Sequence, residues 1–156
     1  MVQNFQNDII KAVETLSKGG VIIYPTDTIW GLGCDATNEK AANKIYKMKL
    51  RHQSKSMIVL VDSIDKLSKY LKCVPQIAIS LMEQISTPLT IIYPKAKNLA
   101  KNVISSDGSI AIRVVNDIFC KELCFKFGKP IVSTSVNVSG FGSPLLYREI
   151  DNKLIE

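Results

Sequence analysis

Short apolar runs of strand length alternate along the chain with longer stretches whose apolar residues recur at helical spacing. This alternation restricts the fold more than any single motif. In "NDIIKAVETLSKGG" (7–20), Ile9, Ile10, Val13 and Leu16 fall at helical spacing and Gly19 is placed to end the helix. "VIIYPTD" then reads as a short buried strand stopped by Pro25. "NEKAANKIYKMK" (38–49) predicts a second helix, capped by Asn38, with Ala41, Ala42, Ile45 and Met48 on one face. "MIVLV" (57–61) is strand-like; Ser63 is placed to cap a short helix reaching Leu71, and Pro75 to open another over "QIAISLMEQI". "LTIIYP" (89–94) and "SIAIRVV" (109–115) follow as two strands, separated by a polar stretch with room for a helical turn. "NDIFCKELCFKFG" (116–128) predicts a helix closed by Gly128, "PIVSTS" a last strand, and the tail from Leu145 a loop and a short helix. One strand-to-strand step in an otherwise alternating order predicts an α/β fold, a twisted open mixed sheet flanked by helices.

A chain of 156 residues is long enough for one domain with its own core, and a single domain spanning 1–156 is expected. Its 46% apolar content is that of a globular chain. No apolar run approaches the roughly 20 residues that cross a bilayer, and the N-terminus lacks the basic start and apolar block of a secretory signal. A cytoplasmic protein with no membrane partner is therefore expected. The four cysteines, Cys34, Cys73, Cys120 and Cys124, form no CxxC pair, so reduced and mostly buried thiols are expected. Cys120 and Cys124 would share a helix face, but the single histidine leaves a zinc site short of ligands, and no protein-bound metal is expected. The formal charge of +6 suits an anionic partner.

Three stretches carry residue types suited to a ligand. In "YPTDTIWGLGCDATN" (24–38) a strand stops at Pro25 and releases Thr26, Asp27 and Thr28, after which Gly31 and Gly33 are expected to let the backbone bend tightly. Ligands of α/β sheets commonly sit at such strand ends. A turn that merely needs glycine explains the stretch equally well, and it matches neither glycine-rich phosphate fingerprint. "KIYKMKLRHQSKSM" (44–57) holds Lys44, Lys47, Lys49, Arg51 and Lys55 with no acid. In an extended chain Lys49 and Arg51 would point the same way and, with Lys55, surround a polyphosphate. A solvated helix end, where cations suit the dipole, is the plainer reading by composition. "KPIVSTSVNVSG" (129–140) begins as a buried strand and ends in a row of hydroxyls and one amide, at Ser133, Thr134, Ser135, Asn137 and Ser139. These groups can hold phosphate oxygens, ribose or an amino-acid carboxylate, or simply satisfy their own turn. With no nucleophile elbow, and with His52 the lone histidine, a Ser–His mechanism has little to stand on.

Taken together with "SIAIRV", these motifs resemble those of the YrdC-like threonylcarbamoyl-AMP synthases. "YPTDTIWGLGCDATN" looks like that family's strand-and-turn motif, "KLR" with the following lysine like its K-x-R block, "SIAIRV" like its arginine-bearing strand, and "STSVNVSG" like its S-x-N signature. The resemblance runs from about Asn7 to Pro144, and the chain is shorter at its C-terminus than typical members. Some relatives place a histidine where this chain has Leu60. The resemblance implies a basic concave face on the sheet and a reaction that joins L-threonine, bicarbonate or CO2, and ATP into threonylcarbamoyl-AMP with release of pyrophosphate. That product serves the threonylcarbamoyladenosine modification of tRNA. Carried over by position, Thr28, Arg113 and Ser133 would hold threonine. Arg51, Lys55, Ser109, Ser135 and Ser143 would hold ATP, and Lys49 with Asn137 would complete the group that faces the phosphates, Lys49 and Arg51 being the catalytic pair. Mg²⁺ would accompany the ATP. tRNA and the downstream threonylcarbamoyl-transferase complex are the macromolecular partners the resemblance suggests. The alternative is a non-catalytic RNA-binding protein of the same fold, acting on tRNA or rRNA; retention of Thr28 and Arg113, which RNA binding does not need, speaks against it.

Overall fold

The computed structural model describes residues 2–52, 57–138, 142, 144 and 146–154. Six strands form one mixed sheet, with β1 (Ile22–Tyr24), β2 (Gly31–Asp35), β3 (Ile58–Val61), β4 (Thr90–Tyr93), β5 (Ile110–Val114) and β6 (Ile131–Ser135) in the order β1-β2-β6-β3-β5-β4. Only β3 and β5 run parallel; every other neighbouring pair is antiparallel. Five α-helices accompany the sheet: α1 (Val2–Ser17), α2 (Glu39–Met48), α3 (Leu67–Tyr70), α4 (Gln76–Gln84) and α5 (Ile118–Phe127). No helix among the described residues is long and apolar enough to cross a membrane.

The helices form where the sequence places them, for local reasons. The Asn38 side chain accepts from the Ala41 amide and caps α2, which buries Ala41, Ala42 and Ile45. Asp117 caps α5 by accepting from the Cys120 amide, and Gly128 closes that helix at φ 74°. Gly19 ends the first helical region at φ 71°. Ser63 differs from expectation: it occupies the capping position of the 3-10 turn Ile64–Lys66, yet its side chain makes no capping hydrogen bond.

One strand was not foreseen. The stretch expected to bend at Gly31 and Gly33 is instead β2, wholly buried between β1 and β6. Its glycines answer a packing demand. A Cβ on Gly33 would lie 2.7 Å from both the Tyr24 ring and the Val132 carbonyl oxygen, and one on Gly31 would lie 3.0 Å from Thr26 and 3.2 Å from Tyr24. The backbone of β2 thus serves as the surface against which Tyr24 packs.

Strand alternation divides the core into two layers. Val59, Ile112 and Val132 face α2 and α3, packing with Ile45 and Leu67. Tyr24, Leu60 and Ile131 face α1 and α5, packing with Ile9, Leu16 and Leu123. Each large aliphatic side chain so buried contributes roughly 1.5–3 kcal/mol. The cover of α1 and α5 is incomplete. Ile92, paired with Ala111 on this second face, remains 72% exposed. The candidate site lies on this less covered part of the sheet.

Candidate functional site

A cleft of about 260 Å³ opens where the end of β6 meets the starts of β2 and β3. Thr28, Arg51, Arg113, Ser133 and Ser135, five of the residues singled out from the sequence, line it together. They come from four separate segments of chain, so tertiary structure alone brings them into one place. Ile58 and Gly31 add apolar and backbone surface.

The wall carrying Thr28 is shaped by Thr26. Its hydroxyl donates to the Ile29 carbonyl at 2.6 Å and accepts from the Thr28 and Ile29 amides at 3.2 Å each. The hydroxyls of Thr26 and Thr28 lie 3.1 Å apart. This hydroxyl-centred turn fixes the loop between β1 and β2, leaving Thr28 exposed at the cleft. Opposite it, the Arg113 guanidinium donates through Nε to Thr90 Oγ1 at 3.0 Å and through Nη1 to Asp27 Oδ1 at 2.8 Å.

Lys49 does not do what an extended chain would have it do. It is the C-terminal cap of α2 in helical geometry, and Leu50 follows at φ 48°. The Leu50 amide donates to the Lys47 carbonyl and the Arg51 amide to the Tyr46 carbonyl, the pattern of a helix end closed by a left-handed residue. The turn sends Lys49 inward, with only 1% of its surface exposed. Its ammonium donates to the Ser135 carbonyl, to the Asn137 carbonyl at 2.6 Å and to Asn137 Oδ1 at 3.1 Å. A lysine has three donors, and all three are thereby engaged. Burial, with a further push from the Arg51 charge, lowers the Lys49 pKa from 10.5 to about 8.

The last strand ends where the sequence places its end. β6 stops at Ser135; the Asn137 amide turns back onto the Ser135 carbonyl at 3.0 Å, and the Ser135 hydroxyl donates to Asn137 Oδ1. Ser135 and Asn137 therefore bond each other rather than standing side by side along a strand. Val136 is buried between them. Ser133 is nearly buried on the cleft wall.

Ser109 lies at the other end of β5 from Arg113 and is not part of the cleft lining; its hydroxyl donates to Asp107 Oδ1 at 2.6 Å. Leu60 is a core residue packed among side chains of α1 and α5. Lys55 and Ser143 lie outside the described residues. Sequence reasoning gave no role to Asp27 and none at all to Thr90. Asp27 was visible at a strand end, whereas the tie between Thr90 and Arg113 depends on the register of β4 against β5, which local sequence does not display.

A larger cavity, about 770 Å³, lies beyond the Asp27–Arg113 pair and is lined in part by Asp27, Asp62 and Phe125. It holds none of the other matched residues. Its greater size is therefore no reason to prefer it as the reaction site.

Comparison with known proteins shows the family. The Sua5/YciO/YrdC family model, described as telomere recombination, matches residues 14–156. The chain belongs to the Sua5/YciO/YrdC family. It is 35% identical to a threonylcarbamoyl-AMP synthase of Pseudoalteromonas translucida over 97% of this chain and 82% of that protein. Among solved structures it resembles P. abyssi Sua5 complexed with L-threonine, with a TM-score of 0.83 and 26% identity over 92% of this chain. The chain spans only 45% of that longer protein. It also resembles E. coli YciO, with a TM-score of 0.76 and 29% identity over 87% of this chain and 66% of that one.

Proposed function

We propose that this chain is a threonylcarbamoyl-AMP synthase acting in the cytoplasm, a nucleotidyltransferase that joins L-threonine, bicarbonate or CO2, and ATP and releases pyrophosphate. The observation that carries the reading is the convergence of Thr28, Arg113 and Ser133 with Arg51 and Ser135 in one cleft. The cleft volume falls just below the usual ligand range of about 300–1,000 Å³. It suits the amino acid and the reacting phosphate, while the less covered sheet face beside it gives the nucleotide room to extend.

The chemistry asks the protein for position and charge. The threonine amine adds to CO2, forming the N–C bond of a carbamate and losing a proton. A carbamate oxygen then attacks the α-phosphorus of ATP, and the bond to the bridging oxygen breaks as pyrophosphate leaves. No protein nucleophile takes part in this sequence. No cysteine or histidine is among the described residues that line the cleft. Burial raises the thiols of Cys34, Cys120 and Cys124, which keeps them protonated and inert. Thr28, Arg113 and Ser133 orient threonine; Arg51 and Ser135 meet the phosphates, where Arg51 offsets the charge gathering on the leaving group.

A resident metal site does not fit the described residues. No three His, Cys, Asp or Glu side chains converge among them, and the Asp27 carboxylate is paired with Arg113. Magnesium is accordingly read as part of the substrate, bound to the phosphates of ATP. The product would pass to a threonylcarbamoyl-transferase complex acting on tRNA. Pyrophosphate release, followed with and without each substrate, tests the proposal. Release should require both L-threonine and bicarbonate; equal release with threonine omitted would overturn it in favour of a protein that does not make this product.

A further inference from the structure

We propose that Asp27 and Thr90 are positioning residues for the carboxylate of the amino-acid substrate, acting through Arg113. The inference rests on the synthase reading of the cleft and adds to it two residues from outside the cleft lining.

The guanidinium of Arg113 is tethered from two independent elements. Thr90, on the edge strand β4 and directly opposite Arg113 in the sheet register, accepts from Nε at 3.0 Å. Asp27, in the loop between β1 and β2, accepts from Nη1 at 2.8 Å. Two tethers at different nitrogens fix both the position and the plane of a planar fork. A guanidinium offers five N–H donors. Nη2 makes no hydrogen bond to a described residue, which leaves that side of the fork for an incoming group.

The surroundings say which way that group comes. Arg113 lines the smaller cleft with Thr28, Ser133 and Ser135, while Asp27 lines the larger cavity on the far side. Asp27 is not among the residues lining the smaller cleft, so its carboxylate holds the guanidinium without filling that cleft. A second carboxylate arriving from the cleft meets Nη2, with Thr28 Oγ1 beside Nη1 at 3.5 Å. Because Asp27 already neutralises part of the Arg113 charge, selection of the ligand depends on the angle of the fork more than on net charge, and the two tethers set that angle.

The test uses the full chain and separates substrate terms. Thr90→Val keeps the branched shape on an edge strand and removes the acceptor; Asp27→Asn keeps the size and removes the charge. Each should raise the KM for threonine about tenfold, with kcat at saturating threonine and the KM for ATP within twofold of wild type. Thr90→Ser, which restores the hydroxyl, should return the threonine KM toward wild type. Titration calorimetry with L-threonine, in the presence of a non-hydrolysable ATP analogue, should show the same loss without turnover. An unchanged threonine KM in Thr90→Val overturns the proposal, as does a fall in kcat with unchanged KM. Tighter threonine binding in Asp27→Asn would make Asp27 a competitor of the substrate, which also overturns it. If the wild-type protein releases pyrophosphate without threonine, the synthase reading fails first, and the two failures are told apart.

Discussion

Replacing Lys49 with methionine removes an ammonium while keeping most of its buried stem. Three hydrogen bonds from that ammonium to oxygens of Ser135 and Asn137 are lost. Bonds from a charged donor stabilise by roughly 1.5–3 kcal/mol each. Desolvation opposes them. An ammonium held at about 8 instead of 10.5 carries a penalty of roughly 3 kcal/mol in its charged form. The ammonium is thus held against a net cost to its charge, and the larger loss in the methionine variant comes from the three acceptors left facing an apolar side chain. Some water can reach the strand end, so the expected loss is about 2–4 kcal/mol. For a chain of this size that lowers Tm by about 5–10 °C. Thermal unfolding by circular dichroism gives the stability arm, and pyrophosphate release gives the activity arm. Both should fall in Lys49→Met, because the end of β6 that carries Ser135 loses its anchor. If turnover collapses while Tm stays within a degree of wild type, Lys49 serves the substrate directly and the clamp argument is wrong.

Further outcomes follow from the same geometry. The folded protein releases the Lys49 proton near pH 8, whereas the unfolded chain keeps it to about 10.5. The unfolded state thus binds more protons in that window, so this residue's contribution to stability rises with pH across it and is flat below it. Denaturant melts at pH 7 and pH 9.5 should show the wild-type advantage over Lys49→Met growing by roughly 1–2 kcal/mol; an advantage that shrinks refutes the assignment. Gly33→Ala forces a Cβ to within 2.7 Å of a backbone carbonyl and of the Tyr24 ring. It should cost about 1–3 kcal/mol in chemical denaturation, and a neutral result would mean that β2 does not pack as described. Arg51→Ala should weaken ATP binding or turnover ten- to a hundred-fold, the equivalent of roughly 1.5–3 kcal/mol, with Tm nearly unchanged; a collapse in Tm would point to a structural role.

The helices and five of the six strands were legible because period and caps agree: Asn38, Asp117 and Gly128 do locally what their residue types favour. β2 was not, because "GLGCD" has no β-branched or aromatic residue and becomes a strand through pairing with β1 and β6. Its glycines look like turn residues in sequence and are packing residues in the fold. The lining of the cleft was legible where motifs end strands, at Thr28, Arg113, Ser133 and Ser135. The role of Lys49 was not, because it turns on Leu50 taking a left-handed conformation that its residue type does not favour. Asp27 and Thr90 escaped for a related reason, since each acts through a partner more than twenty residues away in sequence.

The chemical identity of the product separates threonylcarbamoyl-AMP synthesis from simple hydrolysis of ATP. The full chain, incubated with ATP, magnesium, L-threonine and ¹³C-bicarbonate, is quenched and its products are weighed by mass spectrometry. A threonylcarbamoyl-AMP synthase yields an adduct of AMP with threonine and one additional carbonyl, carrying a single ¹³C, formed together with pyrophosphate. ADP and phosphate as the only nucleotide products, or an AMP–threonine adduct without the label, would contradict that reading.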